Sequence, residues 1–86
     1  MHLEDVYLEE TAEEKILKKH GVTKEEIEAV LMLDEPKHFK TKAGRYIAIG
    51  IMERFISIVY ENKEGIAAVV TAYPSSNWQV KLYKRK

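Results

Sequence analysis

Tyr46-Ile47-Ala48-Ile49-Gly50-Ile51-Met52-Glu53-Arg54-Phe55-Ile56-Ser57-Ile58-Val59-Tyr60-Glu61 is the stretch on which the fold turns. β-Branched and aromatic residues dominate it, and the period is two, as in strands. Only Glu53-Arg54 interrupts the run, so it reads as a hairpin of two strands, Tyr46 to Met52 and Phe55 to Glu61. A two-residue loop sets Met52 against Phe55, Ile51 against Ile56, Ile49 against Ile58 and Ile47 against Tyr60. One face then carries five isoleucines and a tyrosine; the other carries Tyr46, Ala48, Gly50, Met52, Phe55, Ser57 and Val59. The isoleucine face needs a covering layer.

Working outward, Asn62-Lys63-Glu64-Gly65 is a turn into a third strand, Ile66 to Tyr73. Val69 and Val70 are both apolar, which leaves its register open and suits a central strand covered on both faces. His38 to Lys42 reads as a short edge strand, with Lys42-Ala43-Gly44-Arg45 as its turn, and Leu3 to Leu8 suits a further edge strand. Beyond Pro74, Trp78, Val80 and Leu82 recur at period two and favour an extended tail, although Trp78 and Leu82 also fit a helix.

The covering layer is upstream. Thr11-Ala12-Glu13-Glu14 fits a capping box that opens a helix with Ala12, Ile16, Leu17 and His20 on one side, stopping at Gly21. Thr23-Lys24-Glu25-Glu26 repeats the device at once, and the second helix turns Ile27, Val30, Leu31 and Leu33 inward before Asp34-Glu35-Pro36 ends it. The expected fold is α+β: an N-terminal αα-hairpin packed on one face of a three- to four-stranded antiparallel sheet. With 86 residues the chain forms one domain, 1–86, because two would leave neither half a core.

Composition narrows the chemistry. There is no cysteine, so disulfides, thiolate zinc sites and cysteine nucleophiles are excluded. His2, His20 and His38 show no metal-ligand spacing, the four glycines are scattered singletons, and no serine sits in a nucleophile elbow. No metal and no cofactor are expected. No apolar run nears the roughly 18 residues of a membrane span, and Met1-His2-Leu3-Glu4-Asp5 lacks signal-peptide character, so a cytoplasmic location is expected. Eleven Lys and 12 Glu against three amides lean towards a thermophilic source. Residues 1–35 hold 11 acids and four bases; residues 36–86 hold three acids and 10 bases. Either acidic helices neutralise a basic sheet internally, or the basic half meets a polyanion.

One reaction suits a small chain without cysteine or metal: RNA cleavage by transesterification, in which the 2′-hydroxyl is the nucleophile. The protein then supplies only a base, an acid and cations for the phosphorane. Lys19, His20, Arg45, Arg54, Thr71 and Tyr73 are the candidates. Five of the six have a plainer role: His20 and Lys19 suit a helix C-terminus, Arg54 a solvated turn, Arg45 an ion pair and Tyr73 the core edge. Strand directions choose among the cations. The strand from Arg45 runs up, the next down and the third up, so Tyr73 ends near the Met52–Phe55 turn. Arg54 is therefore better placed than Arg45, and His20 joins them only if its helix ends at the same sheet edge.

Lys19-His20-Gly21-Val22, with Thr23 and Glu25-Glu26 after it, resembles the KHGVS-x-EE stretch of BrnT-type ribonuclease toxins in the RelE/barnase-like superfamily. Arg45 to Gly50 is similar to that family's RYxAxG strand, Ile58-Val59-Tyr60 to its VVY strand, and Val70 to Pro74 to the TAYP ending of some relatives. The resemblance spans residues 15–74 and implies two helices on an antiparallel sheet, RNA as substrate and a ribbon–helix–helix antitoxin as partner. It also shows a departure: where the family has RxxSAR, Ala68 and Tyr73 replace the two arginines. Two functions therefore stand. One is a metal-independent ribonuclease toxin using Tyr73, Arg54, His20 and Thr71. The other is an inactive relative whose basic sheet face binds nucleic acid or a protein through Lys19, Arg45, Tyr46, Phe55, Trp78 and Lys81.

Overall fold

The computed structural model describes residues 5–33, 36–41 and 44–85. In chain order they form β1 (Asp5–Tyr7), α1 (Glu10–His20), α2 (Lys24–Glu28) continuing into a wider π turn (Ala29–Leu33), β2 (Lys37–Lys40), β3 (Tyr46–Ile51), β4 (Phe55–Lys63), β5 (Ile66–Pro74) and α3 (Asn77–Arg85). The sheet has five strands in the order β1-β5-β4-β3-β2. It is mixed, because β1 runs parallel to β5 while the other neighbours are antiparallel. The expected three or four antiparallel strands thus gain a parallel N-terminal one.

The helical hairpin forms as its punctuation indicates, with one exception. Gly21 takes the left-handed φ of 68° that ends α1, and its N–H reaches the Leu17 carbonyl at 2.9 Å. Thr23 and Glu26 form a complete capping box at the head of α2. At the head of α1, however, Glu9 and not Thr11 is the N-cap, and its side chain makes no cap bond. Glu10 and Glu13 in the first turn favour the helix dipole instead. Leu17, expected on the inner side with Ile16, stays half exposed. The expected inward Leu33 side chain, the Asp34-Glu35 stop and Lys42-Ala43 lie outside the described residues.

The β3–β4 loop is longer than the two residues read from sequence. Met52, Glu53 and Arg54 all lie in it, so Ile51 pairs with Phe55, Ile49 with Ser57 and Ala48 with Ile58. That slip of one residue moves the β3 isoleucines to the other face. Ile56, Ile58 and Tyr60 of β4 still meet the helices, but their neighbours on β3 are Tyr46, Ala48 and Gly50. Small residues there let the π turn come close to the sheet. The core between the layers joins Ile16, Val22, Ile27, Val30 and Leu31 to Ala48, Ile56, Ile58, Tyr60, Ala67, Val69 and Ala72.

The double valine has its explanation in a β-bulge. Val59 pairs with Thr71 but Tyr60 with Val69, leaving Val70 as the extra residue. Ala67, Val69 and Ala72 consequently all reach the same core, despite their uneven spacing. At the β4–β5 turn, Glu64 and Gly65 have φ of 54° and 89°, the backbone of a two-residue type I′ hairpin.

The tail is a helix. Ser76 stands before α3, and Gln79 reaches back with Oε1 to accept from the Ser76 N–H at 2.9 Å, half of a capping box. α3 lies on the face of the sheet away from α1 and α2: the Phe55 and Tyr83 rings meet edge to face at 5.4 Å, and Lys37 Nζ donates to the Tyr83 carbonyl at 2.7 Å. Ile49 and Ser57 are sealed beneath it at 0% exposure. The second sheet face is therefore not the open basic surface that the binding-protein reading requires.

Candidate functional site

The end of α1 and the bulged half of β5 meet along a groove of about 430 Å³. Lys15, Lys19 and His20 line it from the helix, and Val69, Val70 and Thr71 from the strand. Lys15 and Lys19 are four residues apart and share one side of α1. Glu9 and Thr11 border the groove as well.

At the end of β5 the Tyr73 ring stands 5.9 Å from the His20 ring, tilted by 53°. The condition set for His20 is met, because α1 and β5 end at the same edge of the sheet. Gln79 governs the Tyr73 hydroxyl. Its Oε1 accepts from Ser76 N–H and Oγ, which turns Nε2 the other way to donate to the Tyr73 oxygen at 2.9 Å. With its oxygen accepting, the phenol directs its own proton elsewhere. Gln79 is 1% exposed, a buried amide with both ends bonded. Ser57 and Ser75 hydroxyls share a further bond of 2.7 Å, with Ser57 paired to Tyr73 across the sheet.

Arg54 is bound to the helices. Its Nε donates to Glu26 Oε2 at 3.1 Å, and its Nη2 donates to Glu26 Oε1 at 3.0 Å and to the Gly21 carbonyl at 2.8 Å. This bidentate hold keeps the Glu26 carboxyl below its usual range and raises the Arg54 guanidinium. Arg54 belongs to the same corner as His20 and Tyr73, joined to it through Gly21. The geometry makes it a clamp on the end of α1.

The remaining expected residues are dispersed. Arg45 pairs with Glu61 at 3.6 Å, at the opposite end of β3 from the loop that holds Arg54. Tyr46 stacks on Tyr60 at 5.6 Å and packs against the core. Trp78 and Lys81 ride on α3, where Trp78 is 59% exposed.

Sequence reading missed Lys15, Gln79 and a polar knot beneath the π turn. In that knot His38 Nδ1 lies 2.7 Å from the Tyr60 hydroxyl. Burial lowers the His38 pKa, and burial, with Tyr46 nearby, pushes Tyr60 up to about 12. The signal for Gln79 was present, since Ser76-Asn77-Trp78-Gln79 matches the S-x-x-Q capping pattern. Among the described residues, no three His, Cys, Asp or Glu side chains gather as a metal site. No helix among them is long and apolar enough to cross a membrane.

The helical hairpin on one face of a five-stranded mixed sheet is a BrnT-type fold. The chain is similar to the crystal structure of the Brucella abortus ribonuclease toxin BrnT, with a TM-score of 0.69 over 85% of this chain and 97% of that one. The two are 23% identical in sequence, so the likeness is one of fold. No protein-family model matches the chain, and no curated protein matches it by sequence.

Proposed function

We propose that the protein is a metal-independent endoribonuclease of the toxin class, acting as one domain over residues 1–86. His20 takes the proton of a ribose 2′-hydroxyl, whose oxygen attacks the adjacent phosphorus. Tyr73 delivers its proton to the departing 5′-oxygen, leaving a 2′,3′-cyclic phosphate and a 5′-hydroxyl. Lys19 and Lys15 face the phosphorane charge, Thr71 offers a hydroxyl, and Arg54 holds the helix end that bears His20. One observation carries the reading: the 5.9 Å approach of Tyr73 to His20, which lines a groove together with Lys15 and Lys19. The fold shared with a ribonuclease toxin supports it. A ribbon–helix–helix antitoxin covering this groove is the partner that follows.

A second reading is favoured because no arginine is among the described residues that line the groove. Ala68 and Tyr73 occupy the arginine positions of the family pattern, while Arg45 and Arg54 are paired with Glu61 and Glu26. An inactive relative would bind RNA or a protein without cutting. Incubation with total RNA in EDTA separates the two. Defined fragments ending in cyclic phosphate support the enzyme, with Tyr73→Phe and His20→Ala each losing about 10²–10⁴-fold in rate. Intact RNA, at protein concentrations that saturate binding, refutes it.

A further inference from the structure

The outer side of α3 presents a second arrangement, away from the groove. Trp78 leaves 59% of its surface in water. Beside it, Lys81, Leu82 and Arg85 complete a shallow cavity of about 350 Å³. Helical winding assembles this group, because positions 78, 81, 82 and 85 follow one stripe at spacings of three and four. In an extended tail Lys81 and Arg85 would point to the opposite side from Trp78. From Gly65 to Lys86 the sequence contains no Asp or Glu, so the charge along the stripe has one sign.

We propose that this stripe is a stacking platform for single-stranded RNA. A base lies on the Trp78 indole, Leu82 extends the apolar floor, and the adjoining phosphates meet Lys81 and Arg85. The choice of RNA rests on the ribonuclease reading above. Position supports it: Trp78 directly precedes Gln79, whose amide holds the Tyr73 hydroxyl. Indole stacking tolerates any base, and cations flanking an exposed aromatic are the elements of a sequence-independent single-strand site. The platform would hold nucleotides flanking the cleaved bond.

Trp78 is the sole tryptophan, so indole emission reports on α3 and its outer stripe. The probe is a short 2′-O-methyl oligonucleotide, which lacks the nucleophile and cannot be cleaved. Titrated into the full chain, it should quench emission to saturation. Anisotropy of the labelled oligonucleotide should show Trp78→Ala weakening binding by about 5- to 150-fold, with Trp78→Phe retaining most of it. Replacing Lys81 and Arg85 together with alanine should reduce the log–log salt slope by about 1.4. Absence of quenching, or parental affinity in Trp78→Ala, overturns the platform. Equal quenching by polyglutamate overturns it too, and makes the stripe a docking face for an acidic protein. Quenching that persists in a protein unable to cut total RNA supports the platform while refuting the ribonuclease reading.

Discussion

Removing the Arg54 side chain tests how the corner is held. Arg54→Ala deletes two bonds to Glu26 and one to the Gly21 carbonyl. The Arg54 and Glu26 side chains are 42% and 26% exposed, so water and salt keep the ion pair within the roughly 0–1 kcal/mol of surface pairs. The bond to the Gly21 carbonyl adds about 1 kcal/mol. The expected loss is therefore about 1–2 kcal/mol, or about 4–16 °C in thermal midpoint for a domain of this size. A cycle with Glu26→Gln isolates the pair, and its pH dependence has a definite sign. Glu26 titrates lower folded than unfolded, so its contribution is complete above the unfolded value of about 4.5 and disappears as pH falls through the folded one. Thermal melts of the four proteins near neutrality and in acid measure both quantities. An unchanged midpoint in Arg54→Ala, or a coupling that survives full protonation of Glu26, would refute the clamp.

The other tests are briefer. Ile58→Ala should cost about 2–5 kcal/mol in urea melts, because Ile58 is completely buried, and Ile49→Asp should unfold the chain although its side chain faces α3. His38 titrates below its usual value, so stability should fall as pH drops beneath about 6.5, where the unfolded chain takes up the proton first; Gln at position 38 should flatten that slope in melts across pH 5–8. Gln79→Leu strips partners from the Tyr73 hydroxyl and the Ser76 N–H together. A loss of about 1–3 kcal/mol per unsatisfied group, with α3 loosening seen in Trp78 emission, is the expected result.

Much of the architecture was legible where residue chemistry is local. Gly21, Thr23 and Glu26 announce the helix junction, because a left-handed cap and a capping box depend on near neighbours alone. The face of β3 was not legible, since it hangs on whether Met52 belongs to the strand or to the loop, and one residue inverts the result. Val70 is similar: a bulge is a decision taken between two strands. Strand directions placed Tyr73 at the Met52–Phe55 end of the sheet, but the approach of His20 depended on where α1 ends, which strand order alone does not give. The clamp role of Arg54 could not, because Glu26 lies 28 positions away and only the folded chain makes them meet.

The parallel strand has a consequence for synthesis on the ribosome. β1 finds its partner only at Ile66–Ala68, about sixty residues later, and His20 waits almost as long for Tyr73. Gln79, which sets the phenol, comes later still. Non-local closure of this kind delays folding until nearly the whole chain is available. A nascent chain emerging from the ribosome therefore carries its first helix and its hairpin before it carries any groove. The groove is complete only once β5 and the helix that fixes Tyr73 have both emerged.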